Sequence, residues 1–382
     1  MTRRIAYITG TRADYGLFSE PLRRVREHPG LELGLVVTSM HLEPQFGLTV
    51  EEIEADGMPV IARVRNLGTG DRGADQARSI GTAVLGITDA LEEFRPEVVI
   101  VLGDRGEMLA GAIAAVHLNV AVAQVHGGDV SGSVDELVRH AISKLSHVHF
   151  AATEDAGARL LRMGERAEHI HVVGAPGLDY LSHFEPIPDA ELAADLHLDL
   201  SRPFVLFTQH PVTVEVDAAA RQMEVSLDAL EKANVQVVAT YPNSDAGGRA
   251  MIEVLKSWKG RPWLHVVPSL GQRRFASLLK KAAAVVGNSS SGIIEAPFFG
   301  VPVVNIGSRQ AGRLRADNVL DVAHDQEAIR AAVACALNDD AFKARARAGR
   351  NPFGDGRAGE RIVEVLASLE VGPQLLNKQI AY

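Results

Sequence analysis

Four side chains able to exchange protons stand where the chain passes from apolar runs into helix-like stretches: Asp104, His126, Asp129 and Asp135. Asp104 and Arg105 follow Val101-Leu102-Gly103. His126-Gly127-Gly128-Asp129 follows Gln124-Val125, and paired glycines let backbone and ligand approach closely. Asp135 and Arg139 are four residues apart, so on a helix Arg139 can orient that carboxylate or simply pair with it. Facing one cleft, the four groups provide acid–base chemistry for proton transfers at two carbons. A structural reading stands beside this one: Asp104 as a helix cap, Arg105 in a surface ion pair, Asp129 and Asp135 as loop and cap residues.

A second group of motifs suits an anion. Thr9-Gly10-Thr11-Arg12-Ala13-Asp14 lies between an apolar run and a helical one. There Gly10 permits a tight turn, the helix start offers amides, and Arg12 adds a bidentate contact. The motif is neither a P-loop nor a Gly-x-Gly-x-x-Gly turn, and Asp14 can equally be a helix cap. His210-Pro211-Val212-Thr213 presents an imidazole that can donate to a phosphate or serve as a structural histidine. In Gly287-Asn288-Ser289-Ser290-Ser291-Gly292-Ile293-Ile294-Glu295, hydroxyls and helix-start amides suit a diphosphate, and Glu295 can accept from two ribose hydroxyls. The same residues can cap the helix and complement its dipole. Arg309, Arg313 and Arg315 follow in the next loop, free to close on phosphates or to remain solvated. His147/His149 and His169/His171 each place two imidazoles on one strand face, but further ligands at zinc spacing are missing, so no metal site is expected.

The elements that must position these groups alternate. Strand-like runs at 5–9, 33–38, 98–102, 120–125, 148–153 and 171–174 are followed, after a break, by runs at 204–208, 235–240, 264–267, 284–287 and 301–306. Most are continuous Val/Ile/Leu/Ala runs, the pattern of strands buried on both faces. Helical periodicity at 76–94, 105–118, 135–145 and 155–163, the last stopped by Gly164, predicts right-handed βαβ units in parallel sheets. A Pro-rich, acidic stretch at 182–202 marks a boundary. The expected organisation is α/β: a Rossmann-like domain over 1–182 with the acid–base residues, and a nucleotide-binding one over 183–356. A helix and tail over 357–382 would pack back on the first domain. The ligand cleft is expected between the domains, at strand carboxyl ends.

At 382 residues the chain is long enough for two domains. Its net charge of −9 argues against a nucleic-acid partner. No apolar run reaches the roughly 18 residues needed to span a bilayer, and 1–9 reads as a first strand and not a signal peptide. A soluble, cytoplasmic protein is expected. Cys335, the single cysteine, sits in an Ala-rich helical stretch and reads as a small buried hydrophobe.

Five motifs in order give the chain a resemblance to the hydrolysing UDP-N-acetylglucosamine 2-epimerases, which supply ManNAc-type sugars for sialic- and legionaminic-acid synthesis. They are GTRADYG at 10–16, GDR at 103–105, His126-Gly-Gly with Asp135 and RHAISKLSH at 139–147, HPVT at 210–213 and GNSSSGIIE at 287–295. Non-hydrolysing relatives carry a GTRPE-type first turn and an HVEAG-type third motif. The wider resemblance is to the two-domain GT-B fold. It implies catalytic roles for Asp104, Asp135 and His126, and nucleotide contacts from Arg12, Arg105, His210, Ser290, Ser291 and Glu295. Family members usually read HGGE or EGGE where this chain has Asp129. The implied substrate is UDP-GlcNAc or a 4,6-modified analogue such as UDP-N,N'-diacetylbacillosamine, and the implied chemistry is elimination to a glycal and hydration, with neither nicotinamide nor metal. The resemblance also implies a homodimer or homotetramer. A non-hydrolysing epimerase, a GT-B glycosyltransferase and a non-catalytic nucleotide-sugar binder stay open as alternatives.

Overall fold

Runs of apolar β-branched residues can be buried on both faces only inside a sheet that helices cover on both sides. The computed structural model, which describes residues 2–68, 73–130, 134–212, 214–243 and 247–381, has two such sheets. They belong to two units, Met1–Ser182 with Phe353–Tyr382, and His183–Pro352.

In the first unit the strands are β1 (Arg3–Thr9), β2 (Leu31–Thr38), β3 (Val60–Val64), β4 (Val98–Leu102), β5 (Ala121–Val125), β6 (Val148–Ala151) and β7 (Ile170–Val172). Their order across the sheet is β3-β2-β1-β4-β5-β6-β7, and every pair is parallel. Alternation along β1 shows the two-sided burial: Ile5 and Tyr7 enter one core, Ala6 and Ile8 the other. The second unit holds β8 (Phe204–Thr208), β9 (Gln236–Thr240), β10 (Leu264–Val267), β11 (Ala284–Gly287), β12 (Val303–Ile306) and β13 (Val319–Val322), ordered β10-β9-β8-β11-β12-β13 and again parallel. Each is a Rossmann-like α/β unit.

In both sheets the strand order reverses once, between β1 and β4 and between β8 and β11. At such a reversal the crossover helices leave on opposite faces, and a crevice opens at the strand carboxyl ends. Four of the motifs follow the four strands that flank these reversals. Two strands, β3 and β13, are absent from the apolar-run reading. Both are edge strands and mostly half-buried, so their sequences mix polar and apolar residues. Cys335 is half-buried and lies 3.7 Å from Asp339 Oδ2, so it is less enclosed than its Ala-rich surroundings suggest.

The chain returns to the first unit with the helix Ala358–Ser368, whose Ile362, Val363 and Leu366 complete the core beneath β1. Asp179, fully buried, receives the first amides of that helix, Ala358 N at 2.9 Å and Gly359 N at 2.6 Å. Burial raises its pKa, and these two bonds work against the rise. Lys378 then donates to the carbonyls of Ser143, Lys144 and Ser146 at 2.6–3.0 Å and pairs with buried Glu165. Against the burial that would raise it, bonds from His149, Lys144 and Lys378 hold Glu165 at about 2. Asp179→Ala is expected to cost about 2 kcal/mol by orphaning two buried amides. Thermal unfolding checks this, and an unchanged melting temperature would contradict it.

Candidate active site and anion-binding edge

In the first unit, β4 and β5 pair in register to their last residues, Leu102 beside Val125, so the groups that follow emerge side by side. Asp104 is ion-paired through Oδ2 with Arg139, which is buried on the helix Val134–Leu145. The spacing in sequence suggested Asp135 as the carboxylate Arg139 would orient. Its guanidinium also reaches across to Asp104 at the neighbouring strand end. Asp135 is exposed in the first turn of the same helix, next to residues 131–133, which lie outside the described residues. Beneath the pair, the buried amide of Gln124 donates to Arg139 O at 3.0 Å and Gly103 O at 3.4 Å, and accepts from Ser143 Oγ at 2.6 Å. Sequence reasoning gave Gln124 no role. The signal was there, since a polar residue within an apolar strand must find partners when buried.

His126 adopts φ +62°, a conformation that costs an L-residue on the order of 1 kcal/mol. Its amide donates to Phe150 O at 3.0 Å and its Nδ1 lies 2.9 Å from Asp129 Oδ2. The two glycines between them are required by space. A Cβ on Gly127 would stand 2.6 Å from Gln124 Oε1, and one on Gly128, at φ +77°, would strike the backbone oxygen of Ala156.

The first motif is built differently from expectation. Gly10 is not in the left-handed region; it is needed because a Cβ would press on the Glu107 carboxyl at 3.0 Å. Two of the amides expected to await an anion, those of Gly10 and Thr11, are occupied. Asp14 Oδ2 accepts from Gly10 N (3.3 Å), Thr11 N (2.9 Å) and Thr11 Oγ1 (2.9 Å), while Oδ1 accepts from Thr9. With Thr11 as N-cap this is a capping box, and Asp14 is its buried carboxylate. Burial pushes its pKa up to about 6, against the bonds from Thr9 and Thr11, the Arg105 charge and the Gly10 amide. Arg12 is exposed with its fork on Glu52, and Arg105 is exposed with Nε 3.4 Å from Glu107. Glu107, which also accepts from Ser39 Oγ, is a buried carboxylate that sequence reasoning left without a role.

In the second unit, Gly287 at φ +124° lets β11 close on β8, since any side chain there would strike Thr208 O. Asn288, buried, then clasps His210 at both ends: its Oδ1 accepts from His210 N at 2.6 Å and its Nδ2 donates to His210 O at 2.9 Å. Arg309 and Gln310 donate to the Asn288 carbonyl at 3.1 and 2.9 Å. His210 Nδ1 accepts from Asn243 N at 2.9 Å. An amide only donates, so the neutral ring carries its proton on Nε2 and is a donor there. Burial, and then the Arg309 charge, hold the His210 pKa down to about 4. Thr213 lies outside the described residues.

Ser289 caps the helix Ser290–Ile294 by accepting from Ser291 N at 3.4 Å. Five residues carry little macrodipole, so what this edge could offer an anion is hydroxyls and local amides. Ser290 and Ser291 are half-buried, whereas Gly292 is buried, its missing Cβ sparing a 3.1 Å contact with Val303. Glu295 is bonded by Ser291, and burial raises its pKa. Arg315 is committed to Asp321 and to the carbonyls of Arg313 and Gln310, which makes it a loop-fixing residue. Arg313 is half-buried in that loop.

The paired histidines do not share strand faces as expected. β6 and β7 begin at Val148 and Ile170, so only His149 and His171 lie on strands. His149 bonds Glu165 at 2.9 Å, and His147 Nδ1 accepts from Val122 N at 3.0 Å. Among the described residues no group of three or more His, Cys, Asp or Glu could hold a metal ion.

The His210 shift has a definite sign. Its folded pKa of about 4 lies below the ordinary 6.5, so the unfolded chain binds the proton first and stability is lost as pH falls from about 6.5 toward 4. Both tryptophans, Trp258 and Trp263, are in the second unit, so urea unfolding followed by their fluorescence reads it directly. The midpoint should fall between pH 7 and pH 5, and less so in His210→Gln. Equal falls in both proteins would contradict the assignment.

A family model described as UDP-N-acetylglucosamine 2-epimerase matches residues 23–367. The chain is similar, with 42% identity over 382 residues and 100% of both chains covered, to the UDP-N,N'-diacetylbacillosamine 2-epimerase (hydrolyzing) of Legionella pneumophila. It is 34% identical over 375 residues, 96% of each chain, to the UDP-N-acetylglucosamine 2-epimerase of Neisseria meningitidis. Among solved structures, the UDP-GlcNAc 2-epimerase from Neisseria meningitidis bound to UDP-GlcNAc superposes with a TM-score of 0.82 at 19% identity, covering 95% of this chain and 99% of that one, a likeness of fold. Family model and full-length relatives together establish that this chain is an enzyme belonging to the UDP-N-acetylglucosamine 2-epimerase family.

Proposed function

We propose that the enzyme acts on a UDP-linked 2-acetamido sugar of the N,N'-diacetylbacillosamine or N-acetylglucosamine type and releases UDP and the free 2-epimer, a ManNAc-type sugar. The observation that carries the reading is the placement of Asp104 and His126 after adjacent strands paired to their ends, which sets two groups able to exchange protons at one sheet edge. The 42% identity with a hydrolysing relative over the whole chain supports the hydrolytic outcome.

The reaction is an elimination followed by a hydration. A base takes the C2 proton as the C1–O bond to UDP breaks, leaving a C1–C2 double bond. Water then adds its oxygen at C1, and a proton returns to C2 on the opposite face. Asp104 and Asp135 serve the elimination, and His126, with Asp129, the hydration. The C2 proton is weakly acidic, so the departing diphosphate must be stabilised by donors already in place. His210 is suited to this as a neutral Nε2 donor, with the hydroxyls of Ser289, Ser290 and Ser291, and Glu295 is assigned to the ribose hydroxyls. Arg12, Arg105 and Arg313 are assigned to phosphate contacts, which for Arg12 requires exchanging Glu52 for the ligand. Asp14, as the carboxylate of the capping box with Thr11, supports the turn that carries Arg12.

The product suits the supply of sialic- or legionaminic-acid precursors in the cytoplasm, by a homodimer or homotetramer; the family resemblance supports these assignments. Among the described residues no helix is long and apolar enough to cross a membrane. In water enriched in oxygen-18, turnover should release UDP with no label in its phosphates together with the free ManNAc-type sugar, both read by mass spectrometry. Label in the UDP phosphates, or a UDP-linked epimer without release of UDP, would contradict the proposal.

A further inference from the structure

The His126–Asp129 pair differs in kind from the other charged pair at this edge. Asp104 faces a permanent cation, whereas Asp129 faces a ring that gains and loses protons. We propose that Asp129 is a positioning residue: it acts through His126, fixing the imidazole so that Nε2 is the proton carrier, and does not itself meet the sugar. This rests on the reading of His126 as a proton carrier given above.

The chemistry of the contact sets the tautomer. A carboxylate only accepts, so the 2.9 Å contact puts the ring proton on Nδ1 and leaves the lone pair on Nε2. When Nε2 takes a proton the ring becomes a cation, and the adjacent carboxylate stabilises that charge without being protonated itself. The proton leaves from Nε2 in the return step, and Asp129 stays ionised throughout.

The loop is built to hold this geometry. His126 is tied to β6 through Phe150 O. Gly127 lies against Gln124 and Gly128 against the Ala156 backbone, with no room for a side chain on either. Arg159, itself paired with Asp155 at 2.7 Å, holds the Gly128 carbonyl. With His126 and the Gly128 carbonyl fixed, side-chain length decides where the carboxylate falls. An aspartate reaches Nδ1, while a glutamate, longer by one methylene of about 1.5 Å, would have to fold back or pass it. At 129 the aspartate therefore meets the imidazole directly.

The test is a double-mutant cycle with a direct reading of the ring. Asp129→Asn should lower kcat for UDP release by at least about 30-fold, with KM and UDP affinity unchanged. His126→Gln should lower it as much or more. In the His126→Gln background, Asp129→Asn should change kcat by less than about threefold, because a residue that acts only through His126 has nothing left to lose. Nitrogen-15 spectra of histidine-labelled free enzyme, with His126 assigned from His126→Gln, should show a protonated Nδ1 and a bare Nε2, and Asp129→Ala should abolish that preference. An Nε2-protonated ring in the unmutated enzyme, an Asp129→Asn enzyme with unchanged kcat, or equal losses in both backgrounds would overturn the proposal. Absence of UDP release by the unmutated enzyme would count against the proposed reaction and leave the ring spectra to judge the pairing.

Discussion

A parallel sheet must send each strand back over a helix before the next can begin, and where the strand order reverses the two helices part. This constraint organises both units. The turns after β1 and β4 carry Asp14 and Asp104, and those after β8 and β11 carry His210 and the serine-rich turn. Residues distant in the chain become neighbours because the strands before them pair. The close approach of β8 and β11 is the sharpest case, since it is possible only with glycine at 287 and brings Asn288 onto both ends of His210.

The two edges solve opposite electrostatic problems. On the proposed reaction the first unit holds the groups that exchange protons, and each has an ionisable or charged partner, Asp104 with Arg139 and His126 with Asp129. The second unit holds donors that must stay as they are. Burial keeps His210 neutral and the Asn243 amide keeps its proton on Nε2, so on the proposed reading the ring can donate to an anion with no protonation step of its own. Donors arranged in advance of the charge they stabilise need no reorganisation when it develops.

Most strands were legible because burial on both faces demands an unbroken apolar run, and the edge strands β3 and β13 were not because that demand is relaxed there. The chemical residues were legible as types at strand ends, but their pairings were not. The Arg139–Asp135 spacing is legible because helical spacing is local, while the ion pair of Arg139 with Asp104 spans 35 positions and depends on β4 lying beside β5. Gly10 and Asp14 supported an anion-site reading and a helix-cap reading alike, and the capping box realises the second, with Asp14 taking the Gly10 and Thr11 amides a ligand could otherwise use. Glu107, Gln124 and Asn288 were passed over as single polar residues, although burial obliges each to be bonded.

The account turns on proton removal from C2 of the sugar, since the carboxylates and the imidazole at the β4–β5 edge have no task in a simple phosphate hydrolysis. The most direct measurement uses substrate carrying deuterium at C2 in ordinary water. The account predicts that the released sugar has lost that deuterium to solvent and that turnover is slowed severalfold where C–H cleavage limits the rate. A released sugar that keeps its deuterium at C2 would contradict it.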